Sequence, residues 1–153
     1  MYSLDSDTIR ALYDSNPNVL KRLSSVPPQD IWVSAIVLTE AIAGRMSNIT
    51  AAYKDKSPNA AAKLAKYFDE LLDTVFKFQS LQIIPYTEDD EHEYRKLKPN
   101  VIRRGPSDCR IAVQAHRRGY VIVTLNVRDL IPICDEIGAT CENWSTPSNP
   151  RAI

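Results

Sequence analysis

Short apolar runs bounded by turn residues recur along the chain at Tyr2 to Leu4, Ile31 to Val33, Leu81 to Ile84, Tyr120 to Leu125 and, more weakly, Ala139 to Cys141. Runs of this kind predict β-strands. The segments between them carry helical spacing instead. The longest predicted helix covers Asn59 to Phe78, where Leu64, Phe68, Leu71, Val75 and Phe78 form one apolar stripe. Thr87 and Asp90 make a capping-box signature for a helix running to Lys96, with the acids Glu88 to Glu91 at its start and Arg95 and Lys96 at its end, as the helix dipole favours. Gly105 and Pro106 break the chain, Ser107 is the expected N-cap and Gly119 closes the far end, which predicts a helix over 108–118. Strands alternating with helices give a parallel sheet covered on both faces. The expected class is α/β, a three-layer α/β/α sandwich around a central parallel sheet of four to five strands.

No internal repeat, heptad array or low-complexity segment interrupts this pattern. At 153 residues with 44% apolar side chains, the chain is sized for one domain with its own core, expected over 1–144. The segment 145–153, STPSNPRAI, is expected to be poorly ordered tail. Lys plus Arg and Asp plus Glu both number 19, so bulk charge argues neither for nor against a nucleic-acid partner. Three cysteines, Cys109, Cys134 and Cys141, are odd in number and lack C-x-x-C spacing, which predicts free thiols in a reducing compartment. The N-terminal MYSLDSDTIR has no apolar signal core, and no stretch approaches the roughly 20 apolar residues of a membrane span. A soluble, cytoplasmic protein with no membrane partner is expected.

Four acids stand in unusual places. Asp5 ends the first apolar run, at the carboxyl end of a predicted strand where open α/β sheets bind ligands; the adjacent Asp7 reads as the cap of the following helix. Glu40 is the only charged residue from Ile31 through Gly44, and Ile36, Val37, Ala43 and Gly44 share its helical face. A carboxylate in such surroundings is expected to be buried, and then paired, neutralised or bound to metal. Asp108 starts the apolar face of its helix, with Ile111, Ala112 and Ala115, although a first-turn Asp also suits the dipole. Asp129 follows the strand YVIVTL, where an Asx turn or a cap is the plain alternative. Carboxylates gathered without compensating cations repel, and a hard divalent cation, Mg²⁺ or Mn²⁺, removes that penalty.

Other chemistries have less support. Cys109 and His116 lie about 10 Å apart along one helix, too far for a nucleophile and base. The two histidines, His92 and His116, support neither a Ser–His–Asp arrangement nor a zinc site.

Across nearly the whole chain, these residues resemble the PIN-domain ribonucleases, and specifically the VapC-type toxins of bacterial toxin–antitoxin pairs. The resemblance is carried by YSLDSDTI, by VSAIVLTEAIAGR and, most specifically, by SDCRIAVQAHRRGYVIVTLNVRDL with its T-x-N-x-x-D ending. It implies a PIN-like fold and places Asp5, Glu40, Asp108 and Asp129 at the family's four acidic, metal-holding catalytic positions. Thr124 and Asn126 take supporting polar positions, and Ser6 the hydroxyl position after the first acid. Asp7 stands where the family usually has Asn, adding a charge beside the site. The implied activity is endoribonuclease cleavage supported by Mg²⁺ or Mn²⁺, with an RNA substrate, a small antitoxin protein over the acidic groove and a homodimer. From Arg95 to Arg118, Asp108 is the only acid among eight Lys or Arg residues; Arg103 and Arg104 are the expected phosphate contacts, while Arg110, Arg117 and Arg118 solvate the helix's outer face. The segment LDSDT also fits the D-x-D-x-T start of haloacid-dehalogenase-like phosphatases, with Asp5 as nucleophile and Asp7 as acid/base. A PIN-like binding module without catalysis is the remaining alternative.

Overall fold

Five strands form one sheet in a computed structural model that describes residues 1–146. They are β1 (Tyr2–Leu4), β2 (Ile31–Ser34), β3 (Gln82–Ile84), β4 (Val121–Val123) and β5 (Thr140–Glu142), in the order β3-β2-β1-β4-β5, and every neighbouring pair is parallel. Helices α1 (Ser6–Tyr13) and α2 (Pro17–Ser24) connect β1 to β2, and α3 (Ala35–Ala52) and α4 (Ala60–Gln79) connect β2 to β3. Helices α5 (Glu88–Arg95), α6 (Pro99–Ile102) and α7 (Pro106–Arg118) lead to β4, and α8 (Val127–Ile137) leads to β5. This is the expected α/β class with its parallel sheet between helical layers.

The sheet centre is apolar on both sides, as a covered parallel sheet requires. Leu4 on β1 pairs with Val33 on one side and Val123 on the other, and all three are fully buried. Ile111, Ala112 and Ala115 of α7 and Ile133 of α8 join the same core. The chain runs outward from β1 to β2 and β3, then returns to place β4 on the other side of β1. A crevice opens at such a reversal beyond the carboxyl ends of the strands, here those of β1 and β4.

Several element ends differ from expectation. Helix α7 begins at Pro106 with Gly105 as N-cap, not at 108 with Ser107 capping, because Pro suits the first turn where its missing N–H costs nothing. Helices α2 and α6 likewise start on Pro17 and Pro99, and α8 fills the place of an expected turn and short segment. The capping box of α5 forms as read: Thr87 accepts from the Asp90 backbone and Asp90 accepts from that of Thr87. Asp90 does more than cap. It is fully buried and accepts from Arg118 at 2.8 and 3.0 Å and from Arg117, while Arg110 donates to Glu91 at 3.1 Å and stacks 3.7 Å over the Tyr94 ring. The three arginines expected to solvate the outer face of α7 therefore bind it to α5.

At the C-terminal end, Trp144 is buried against Tyr2, and Ser145 is held by Asn143 and Asn18. The rest of the predicted tail, 147–153, lies outside the described residues. Among those described, no helix is long and apolar enough to cross a membrane, and the three cysteines are free thiols.

Candidate metal centre

Each acid reaches the sheet's carboxyl edge from a different element. Asp5 follows β1 directly and is the N-cap of α1, where its carboxylate accepts from the Thr8 backbone at 2.7 Å. Thr8 in turn donates its hydroxyl to the Val123 carbonyl at 2.9 Å, and the Asp5 N–H donates to the same carbonyl at 3.0 Å, so the first turn of α1 is fastened to β4. Asp5 is 8% exposed, and burial pushes its carboxyl above the usual carboxylate range, against hydrogen bonds from Thr124 and Thr8. The cap is thus Asp5 and not Asp7. Asp7 instead forms an exposed pair with Arg10 at 3.1 Å.

Glu40 corrects the expectation of a buried carboxylate: it is exposed, and its Oε2 accepts from the Ser6 hydroxyl at 2.8 Å. An apolar sequence around a residue buries it only when neighbours cover every face. Helix α3 is covered by α4 and the sheet, yet Thr39, Glu40, Ala43 and Gly44 remain exposed.

Asp108 is the third residue of α7 and is half-buried. Its carboxyl is raised by burial first and then by the charges of Glu40, Asp5, Asp129 and Asp7. Five acids from four elements therefore act on one place. The carboxylate folds back over Gly105 so closely that a Cβ there would lie 2.5 Å from Asp108 Oδ2, a role for this glycine that reading it as a chain break missed.

Asp129 is exposed in the first turn of α8 and accepts from the Asn126 side chain at 3.0 Å. The Asn126 backbone in turn donates to the Thr124 hydroxyl at 2.9 Å. Thr124, fully buried, thus touches both the Asp5 and the Asp129 sides of the cluster. Arg103 and Arg104, both exposed, precede the Gly105–Asp108 turn and form no ion pair among the described residues. Arg128 beside Asp129 is exposed and likewise makes none; its sequence signal was an Arg inside T-x-N-x-x-D.

Among the described residues, no three or more His, Cys, Asp or Glu side chains gather tightly enough to enclose one metal ion. The donor set nevertheless suits Mg²⁺, which keeps most of its water and takes only one or two direct carboxylates. Asp5 and Asp108, both raised in pKa and, among the described residues, bonded to no basic side chain, are the acids whose charge a cation would relieve most. Cys109 is buried and donates to the Val101 carbonyl, His92 lies beside Glu88, and the His116 ring lies beside Gly138.

No family model matches the chain, and neither does any curated protein. Solved structures do. The chain matches one from FitAcB of Neisseria gonorrhoeae at 17% identity and TM-score 0.63, covering 94% of this chain and 97% of that one. A chain of DNA-bound VapBC from Salmonella typhimurium matches at 23% identity and TM-score 0.62, with coverages of 94% and 97%. One from a toxin–antitoxin complex of Klebsiella pneumoniae matches at 18% identity and TM-score 0.59, with coverages of 84% and 89%. The chain has the PIN-like α/β fold that its sequence implied, shared with chains of these complexes.

Proposed function

We propose that this protein is a cytoplasmic, Mg²⁺- or Mn²⁺-dependent endoribonuclease and the toxin of a toxin–antitoxin pair. The observation that carries the reading is the convergence of Asp5, Asp7, Glu40, Asp108 and Asp129, from four separate elements, on the open end of the sheet, with the Asp108 carboxyl raised by burial first and then by the charges of the other four. Acids held together at such a cost are expected where a cation compensates them.

When bound, the cation supplies positive charge to the phosphate and acidity to water at neutral pH. The chain's own residues supply the rest. Thr8 and Thr124 hold Asp5 in place, Ser6 orients Glu40, and Asn126 orients Asp129. Arg103 and Arg104, free of ion pairs among the described residues, are available to RNA phosphates. Water attacks the phosphorus in line with the departing 3′-oxygen.

A protein partner is supported by α4, which exposes Phe68, Leu72 and Phe76 at four-residue spacing, and by Met46 on α3 and Tyr53 at its C-cap. We assign this apolar surface to protein contacts, with a small antitoxin or in a homodimer; one similar structure is a toxin–antitoxin complex.

The test is cleavage of an end-labelled RNA mixture with Mg²⁺, with Mn²⁺ and with EDTA. Metal-dependent cleavage that Asp5→Asn or Asp108→Asn abolishes is expected. Cleavage in EDTA, or full activity in both variants, would refute the proposal.

A further inference from the structure

Two of the three thiols meet, and the carboxylate cluster uses neither. Cys134 lies in the last turn of α8 and is 1% exposed, while Cys141 is the middle residue of β5 and half-buried. The chain turns back sharply between them. The Cys134 carbonyl accepts from the N–H of Gly138, which is left-handed, and from that of Ala139 at 2.9 Å.

Sheet geometry aims one thiol at the other. The chain steps from β1 to β2 in one direction and from β4 to β5 in the opposite one, so right-handed crossovers place α1–α2 and α8 on opposite faces. Glu142 is on the α2 face, where it accepts from Arg22 at 3.2 Å. Neighbouring side chains alternate along a strand, so Cys141 points to the other face, with its register partner Ile122 and toward α8. Cys134 belongs to the core there, Cys141 packs against that core, and the two thiols hydrogen-bond.

Small apolar side chains would fill this space as well, so what matters is how the two sulfurs differ. The Cys134 S–H donates to Cys141, and this contact holds the Cys141 thiol below its ordinary range, against burial and the charge of Asp135. The same contact, and then burial, push Cys134 up. A thiol of enhanced thiolate character on an outermost strand, backed by a shielded second thiol, is the arrangement of an oxidisable pair. Cys109 has none of this: it is fully buried, donates to the Val101 carbonyl and is pushed up by burial first. Among the described residues, no third His, Cys, Asp or Glu completes a metal-ligand set with the pair.

We propose that Cys134 and Cys141 are a peroxide-sensitive pair that closes reversibly into a disulfide joining α8 to β5. The Cys141 thiolate attacks one oxygen of hydrogen peroxide. An S–O bond forms, the O–O bond breaks, and the departing hydroxide takes up the proton that Cys141 released. Cys141 is then a sulfenic acid, and one water has left. The Cys134 sulfur attacks the Cys141 sulfur next; the S–S bond forms, the S–O bond breaks, and the released hydroxide leaves with the Cys134 proton as a second water. Two thiols and one peroxide thus give one disulfide and two waters. A dithiol reverses the step by exchange. The proposal does not depend on the nuclease reading.

The test uses the full chain, reduced and then freed of reductant, treated with hydrogen peroxide at pH 7 until glutathione, as the reference thiol, is half oxidised in parallel. Alkylation in urea stops the reaction, and peptide masses read the state of each cysteine. The expected result is a disulfide between Cys134 and Cys141 within one chain, with Cys109 still a thiol, and full return to thiols with dithiothreitol. Cys134→Ser should stop at a sulfenic acid on Cys141 that dimedone traps. Cys141→Ser should oxidise Cys134 at least tenfold more slowly than wild type forms the disulfide; circular dichroism checks that both variants fold. Wild type alone decides the pairing. Three intact thiols, a disulfide that includes Cys109, or disulfides only between chains would overturn the proposal. Oxidation of Cys134 at an unchanged rate in Cys141→Ser would overturn it too, since Cys141 would then not be the attacking thiol.

Discussion

Replacing Asp90 by Ala removes one fully buried carboxylate that four groups address: the Thr87 backbone at 3.0 Å, two Arg118 nitrogens at 2.8 and 3.0 Å, and Arg117. Breaking a buried pair from one side costs about 3–5 kcal/mol because the remaining charge loses its partner. Here Arg117 and Arg118 keep 30% and 23% of their side-chain surface exposed, so water takes over part of that loss. With the capping bond, worth about 1 kcal/mol, the net cost is expected at about 2–3 kcal/mol. For a chain of this length that lowers Tm by roughly 5–10 °C. The arginines and Thr87 hold the Asp90 carboxyl well below the usual carboxylate range. A depressed folded pKa contributes stability that is present above the ordinary value near 4 and lost as pH falls through the folded one. Wild type should therefore lose stability below about pH 4, and Asp90→Ala should show a shallower acid loss. Urea denaturation at pH 7 and at pH 3 measures both effects. A change under 0.5 kcal/mol at pH 7, or an unchanged acid slope, would refute the view that this ion cluster fastens α5 to α7.

Asp108 has the opposite sign. Its folded pKa is raised above 3.8, so ionisation opposes folding as pH rises through that value and beyond. Asp108→Asn should therefore be more stable than wild type at pH 7 in EDTA by chemical denaturation, and a less stable variant would contradict the mutual repulsion of the acids. Millimolar Mg²⁺ should raise the Tm of wild type and leave that of Asp108→Asn nearly unchanged, as calorimetry would show. Gly105→Ala places a methyl 2.5 Å from Asp108 Oδ2, so the carboxylate must move; cleavage should fall at least tenfold while Tm drops by no more than about 4 °C, the range of a lost N-cap preference. Ser6→Ala removes the 2.8 Å bond to an exposed Glu40 and should lower kcat several-fold with stability within about 0.5 kcal/mol, by urea denaturation.

Strand positions were legible because each short apolar run had to pair inside a covered sheet, and Leu4, Val33 and Val123 do so in register. The capping box of α5 was legible because it is a purely local device. What sequence could not show were the partners brought in by folding. Glu40 sits in an apolar stretch yet is exposed, because burial depends on which elements arrive against α3 and not on its neighbours in the chain. Asp90 looked like a cap and dipole residue until α7 brought Arg117 and Arg118 to it across 27 and 28 positions. Gly105 read as a chain break, and its tight fit under Asp108 emerges only once Asp108 turns back over it. The acids themselves were readable one by one; that they act on one another required the sheet to place β1 beside β4.

The chemistry of the product ends tests the central claim most directly. Wild type should cleave RNA only with Mg²⁺ or Mn²⁺ and leave 5′-phosphate and 3′-hydroxyl ends, resolved by mass spectrometry, with Asp5→Asn and Asp108→Asn inactive. Products ending in a 2′,3′-cyclic phosphate, or cleavage that survives EDTA, would mean that water activated at the carboxylate cluster is not the nucleophile.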